Sequence, residues 1–259
     1  MSSFTKKIYA SSIESIEIFD KRNSFKKLHK SEKYFLNRRV LNNNSILDIG
    51  CSTGALGHAI TSKIKNVKYT GIDVNKHSIQ IGKKKYKNLS FIHGSFPDAL
   101  GRKKYDIIIV NNLFEQIDEW KKFLLSLKKH SIKYLIIGCC VKLSGPTVID
   151  KDVSYSYYFE TGQRVHKIVH NMYELINYCC INEMGAENID FFGYHISDKK
   201  YVPGDFKPLP VRDQIRGNLM IKFSKSVKKS KGSFNYQSDK NSNIRNNINI
   251  IIDGKNYKF

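Results

Sequence analysis

Residues 45–60 read SILDIGCSTGALGHAI, an apolar run holding one acid, then two glycines four apart, then an apolar stretch at helical spacing. Glycine adopts left-handed backbone that other residues resist, so the pattern reads as a strand, a tight turn and a helix start. Working outward, apolar segments at 46–49, 68–72, 89–92, 105–110 and 133–138 alternate with amphipathic stretches at about 54–65, 76–85 and 118–129. Short apolar strands between helices predict an α/β fold: a doubly wound, mainly parallel sheet with helices on both faces. After Gly145–Pro146 the alternation stops, and 147–170 is rich in Tyr, Asp, Arg and His without a clear period. A helix over 171–184 follows, ending at Gly185 as a C-cap, and strands at 188–195 and 218–223 bring the sheet to seven.

Upstream, 24–41 places Phe25, Leu28, Phe35 and Leu36 near helical spacing, while 1–22 reads as a loose arm or short helix. Downstream, 224–247 is Ser/Asn/Lys-rich and lacks the apolar content to form a core. The last twelve residues, INIIIDGKNYKF, read as a hairpin around Asp253–Gly254. The expected organisation is an N-terminal arm and helix over 1–44, an α/β domain over 45–223 with a substrate lid at about 145–170, and a basic, flexible tail over 224–259.

The formal charge is +21 in 259 residues, of which 224–259 carry +6 and the remainder +15. Such a charge suits a nucleic acid or an acidic membrane surface. Lysine greatly exceeds arginine, however, and Asn, Ile and Tyr are abundant. That mixture also arises from AT-rich codons, so charge alone names no partner. No apolar run approaches the roughly 18–20 residues that span a bilayer, and the N-terminus carries charges where a signal peptide needs an apolar stretch. The expected location is the cytoplasm. Of the five cysteines, Cys139–Cys140 and Cys179–Cys180 are adjacent pairs without metal-site spacing, so buried free thiols and no metal are expected.

A triphosphate loop needs a lysine after its last glycine, and none follows Gly54. A dinucleotide fingerprint, GxGxxG, begun at Gly50, has Ser52 and Ala55 at its second and third glycines. Asp48, at the mouth of the turn, repels a pyrophosphate and favours a cation. In these residues the chain resembles the class I S-adenosylmethionine-dependent methyltransferases, over roughly 33–223. The first motif is LDIGCSTG (47–54), with Ser52 in place of the middle glycine. The second is GIDVN (71–75), where Asp73 ends a strand and can accept from ribose hydroxyls. The third is HGSFPD (93–98), with Ser95 where the family often has an acid, and Phe96 beside it. The fourth, IIIVNNLFEQIDEW (107–120), puts Asn111 or Asn112 at the methionine end of the cofactor.

The resemblance implies S-adenosyl-L-methionine as cofactor, a seven-stranded sheet whose last strand is antiparallel, and Asp48, Gly50, Cys51, Ser52, Gly54, Asp73, Val74, Ser95, Phe96, Asn111 and Asn112 as its binding residues. Asp73 has a rival role as N-cap of the helix over 76–85. The acceptor pocket in such sheets lies beyond the C-terminal ends of the strands. There the 145–170 stretch offers Tyr155, Tyr158 and Arg164 to a substrate, and His166 and His170, four apart, as bases. Gln116 stands where several small-molecule relatives have a histidine, and no NPPY-like tetrapeptide follows the fourth strand, which argues against the amino-methylating enzymes that use one.

Three functions follow from these residues. The first is transfer of a methyl group to an oxygen or nitrogen of a small molecule: a sugar, a glycan intermediate or a metabolite. The second is RNA methylation, with the basic helix and tail tracking phosphates. The third is a non-catalytic binding module of the same fold.

Overall fold

The computed structural model describes residues 10, 16, 19–150, 152–157, 164–181, 184–195, 214–223 and 247–257. A ten-stranded sheet runs through them. Its first five strands are β1 (Ser45–Ile49), β2 (Lys68–Asp73), β3 (Ser90–His93), β4 (Tyr105–Val110) and β5 (Ser131–Lys142). The short β8 (His170–Asn171) pairs with the end of β5, and β9 (Ala186–His195), β10 (Ile215–Phe223), β11 (Asn247–Ile252) and β12 (Lys255–Tyr257) complete it. The order β3-β2-β1-β4-β5-β10-β9-β11-β12 reverses direction beside β1, as a doubly wound fold requires. β10 is antiparallel to both β5 and β9, the reversal expected of the strand at 218–223. A separate two-stranded hairpin joins β6 (Tyr155–Tyr157) to β7 (Arg164–His166).

The sheet thus exceeds the expected seven strands by the short β8 and by the hairpin β11–β12. β11 pairs parallel to β9 and buries Ile250 and Ile252 completely, covering an apolar edge that β9 otherwise exposes. Asp253 and Gly254 both have positive φ, +49° and +80°, which gives the turn expected at that dipeptide. Asn247–Tyr257, part of the stretch expected as a flexible tail, therefore belongs to the sheet.

Side chains alternate across each central strand, and helices meet both sides. Leu47, Ile49, Ile108, Val110, Leu135 and Ile137 pack with Leu124 and Leu127 of α4 (Trp120–His130) and with Leu175 and Cys179 of α5 (Met172–Ile181). Ile46, Ile107, Ile109 and Ile136 pack oppositely, against Phe35 and Leu36 of α1 (Lys30–Arg39) and Ile60 of α2 (Ala55–Thr61). Burial on both faces explains why these strands are continuously apolar. α3 (Lys76–Lys85) completes the cover near β3, capped by Asn75, whose side chain accepts from the Ser78 N–H at 2.9 Å.

Cys51, Cys139, Cys140 and Cys179 are buried free thiols. No helix among the described residues is long and apolar enough to cross a membrane. Because β1, β2, β3 and β4 run parallel, the loops following them gather at one end of the sheet.

Candidate functional site

A cavity of about 590 Å³ opens at that end. Its floor is the turn after β1, with Asp48, Gly50, Cys51 and Ser52. Its walls carry Asp73 and Val74 after β2, Ser95 and Phe96 after β3, and Asn111 and Asn112 after β4. Ten of the eleven residues expected to hold a cofactor meet on this one surface. Gly54 does not line it. At φ +81° Gly54 starts α2, and a Cβ there would lie 2.6 Å from the Phe91 ring, so its role is in the turn and its packing.

Two carboxylates, Asp48 buried and Asp73 half-buried, define the electrostatics. Asp48 accepts a 2.6 Å hydrogen bond from the Tyr69 hydroxyl, and burial pushes its carboxyl up from 3.8 to about 7, with Asp73 adding repulsion. Asp73 accepts the Ser52 N–H at Oδ2 and the Asn75 N–H at Oδ1, both at 2.8 Å. Burial raises its carboxyl, while these backbone donors pull it back. Asp73 is not the cap of α3, since Asn75 takes that role. It bridges the turn after β1 to the loop after β2 and holds Ser52 in left-handed backbone at φ +49°. A residue with a side chain is strained there where glycine is not.

The two asparagines behave differently. Asn111 donates through Nδ2 to Glu32 Oε1 and accepts at Oδ1 from Asn218 Nδ2, each at 2.9 Å, so both its amide nitrogen and its amide oxygen are tied to neighbours. Asn112, at φ +55°, accepts at Oδ1 from the Arg216 guanidinium. Gln116 is nearly buried and lines the cavity. The Ser95 hydroxyl lies 3.5 Å from the Phe96 carbonyl oxygen, and the Phe96 ring packs edge-on against Phe123 and His130.

Neither histidine expected as a base reaches the wall. His170 is wholly buried, stacked on Phe114 at 4.6 Å, and neither ring nitrogen has a hydrogen-bond partner. Burial pushes its pKa down to about 3. It is a core ring, because its strand β8 adds to β5 inside the protein. His166 is also buried. Its Nδ1 is 2.6 Å from Asp118 Oδ1 and its Nε2 is 2.6 Å from the Ile149 carbonyl oxygen. Asp118, which does line the cavity, stands between that ring and the interior. Tyr155 pairs with His166 across the small hairpin and is absent from the cavity wall. Tyr158 lies outside the described residues, and of Arg164 only the backbone, in β7, is described.

Sequence reasoning missed Phe19 and Arg22 of the N-terminal arm, and Leu113, Ile117 and Asp118 after β4, all of which line the cavity. The arm has no periodicity to reveal it. Asp118 sits in Glu115-Gln116-Ile117-Asp118-Glu119, whose density of acids in a strongly basic chain was the available signal.

The turn suits a cationic ligand and opposes a diphosphate. No lysine or arginine stands in 50–54, and Asp48 on the floor sets a carboxylate against a pyrophosphate's charge. Among the described residues no group of three or more His, Cys, Asp or Glu is arranged to hold a metal ion.

Comparison with known proteins gives a family match and several relatives. The family described as a methyltransferase domain matches residues 47–131. The release factor glutamine methyltransferase of Fusobacterium nucleatum is 30% identical over 98 residues, 36% of this chain and 28% of that protein. Malonyl-[acyl-carrier protein] O-methyltransferase 2 of Ilyobacter polytropus is 27% identical over 161 residues, 53% of this chain and 61% of that protein. The chain therefore spans less than two thirds of the length of either relative. Among solved structures, coclaurine N-methyltransferase bound to N-methylheliamine and SAH shares the fold at a TM-score of 0.50, with 15% identity over 74% of this chain and 63% of that one.

Proposed function

Residues 47–131 being a methyltransferase domain, set in the fold of the class I S-adenosylmethionine-dependent enzymes, we propose that the protein transfers a methyl group from S-adenosylmethionine to an oxygen or nitrogen of a small molecule. One observation carries the reading: the turn after β1 and the ends of β2, β3 and β4 converge on a single cavity with buried Asp48, half-buried Asp73 and no phosphate-binding cation in the turn.

When bound, the cofactor supplies a methyl group on a sulfonium. The protein's part is to orient and to exclude water. Asp73 offers carboxylate oxygens to the ribose hydroxyls while bracing the turn. Asp48 meets positive charge from the floor. Asn112, its Oδ1 held by Arg216, presents Nδ2 at the end of β4.

No histidine lines the cavity among the described residues, and a neutral amine acceptor needs none, because it attacks through a free lone pair and loses its proton to solvent afterwards. For a hydroxyl acceptor, Asp118, braced by His166, is the wall carboxylate able to hold the proton.

A volume of about 590 Å³ falls within the range of small-ligand sites. The described residues of 147–170, expected as a lid, fold back upon themselves with Val148 bridged to Val169, and none of them lines the cavity. Incubation of the protein with methyl-labelled S-adenosylmethionine and a cell extract tests the reading. The label should appear in molecules passing a small-pore ultrafilter. Label retained with RNA or protein refutes a small acceptor, and no transfer at all leaves the fold as a binding module.

A further inference from the structure

The cavity holds one cation that no motif announces. Arg22, in the arm before α1, lines the wall near Asp48, close enough to favour its ionised form. Its Nη2 donates to Glu32, and its Nε is buried with no hydrogen-bond partner among the described residues. Glu32 is itself held, accepting from the His29 N–H at 2.8 Å and from Asn111 Nδ2 at 2.9 Å. The arm is pinned two residues earlier. Asp20 accepts from the Thr53 hydroxyl of the turn at 3.0 Å and from the Tyr86 hydroxyl at 3.3 Å, and pairs with Lys85.

A surface arm therefore makes two tethers, one to the turn after β1 and one to α1. Between them an arginine side chain is delivered to the cavity. A guanidinium has five N–H donors, and the Glu32 pair leaves others to spend. The other wall cation, Lys122, is committed at the exposed rim to Glu119.

A ligand bearing an amino acid carries an ammonium and a carboxylate on one carbon. Asp48 answers the first, and the four motifs supply no lysine or arginine for the second. We infer that Arg22 binds the α-carboxylate of the cofactor's methionine end, so that Arg22 and Asp48 together read a zwitterion. The inference rests on the S-adenosylmethionine reading. It assigns to the N-terminal arm a part in cofactor selection: ligands with the adenosine but without the carboxylate forfeit this contact.

The test is calorimetric titration of the full chain and of the Arg22→Met and Arg22→Lys variants with two ligands. S-adenosylhomocysteine carries the amino acid, and 5′-methylthioadenosine lacks it. Arg22→Met should weaken S-adenosylhomocysteine by roughly ten- to a hundredfold and leave 5′-methylthioadenosine within about twofold, with Arg22→Lys in between. Equal weakening of both ligands means a merely structural arm and overturns the inference, as does no weakening of either. If the wild-type chain binds neither ligand, the donor reading itself falls, an outcome distinct from the other two.

Discussion

The Tyr69 hydroxyl of β2 donates to Asp48 Oδ2 of β1 at 2.6 Å, beneath the turn that forms the cavity floor. The bond lowers the carboxyl's pKa, yet burial outweighs it and leaves the value at about 7. Without a cation above it Asp48 is therefore partly protonated at neutral pH, and a cationic ligand must draw the proton off. Affinity for S-adenosylmethionine should rise as pH increases from about 6 to 8 and flatten above. Asp48→Asn should bind at least about tenfold more weakly, with a flat profile. Titrations across that range check both.

The same shift governs stability with the opposite sign. The folded protein holds the Asp48 proton more tightly than the unfolded chain, whose carboxyl titrates near 3.8. The stabilising contribution is complete below about pH 4 and is lost progressively as pH rises through 7. Relative to wild type, the Tm of ligand-free Asp48→Asn should thus be higher at pH 8 than at pH 4. Scanning calorimetry at the two values decides it.

Asp73 carries a double duty that a single variant exposes. Asp73→Ala removes the acceptor for the Ser52 and Asn75 N–H groups as well as the expected ribose contact. Cofactor affinity should fall roughly tenfold or more. Ser52→Gly, which relieves a positive φ, should keep the affinity. Calorimetric titration of both variants would contradict this account if the order came out reversed.

Gly82 of α3 approaches the turn so closely that a Cβ would sit 2.6 Å from the Thr53 carbonyl oxygen and 2.9 Å from the Phe91 ring. Backbone cannot swing aside as a flexible side chain can. Gly82→Ala should cost about 1–3 kcal/mol, seen as a drop in Tm. Gly101→Ala, with nothing within 4 Å of its Cβ and a φ of +64°, should cost less.

His170 separates core from catalysis. Its buried neutral ring resists a proton down to about pH 3, whereas the unfolded chain takes one near 6.5. Wild type accordingly loses stability as pH falls below about 6.5. His170→Phe retains an aromatic ring against Phe114 and removes two unpartnered nitrogens. It should leave methyl transfer within about twofold and melt higher than wild type by a wider margin at pH 5 than at pH 7.5. A folded variant without activity would restore the histidine to the mechanism.

What the sequence discloses follows from how local each signal is. The strands of the central sheet are legible because burial on both faces makes them continuously apolar, and the turn because glycines and Asp48 stand within a few residues. The residues expected to hold a cofactor follow, since each sits at the end of a legible strand or just beyond it. The arm is not legible: Asp20 and Arg22 owe their roles to Thr53, Glu32 and Tyr86, which lie elsewhere in the chain. Nor are the histidines, because spacing says they share a face but not that β8 buries His170 against Phe114. The hairpin β11–β12 shows in its Asp253–Gly254 turn, whereas its pairing with β9 depends on an edge that only the folded sheet presents.

The central claim is that the turn over Asp48 receives a sulfonium donor rather than a diphosphate. A crystal structure grown with equal concentrations of S-adenosylhomocysteine and NADH tests it most directly. The account predicts the homocysteine moiety over Gly50–Ser52 with the ribose on Asp73. A nicotinamide dinucleotide in that place, its pyrophosphate along the turn, would contradict it.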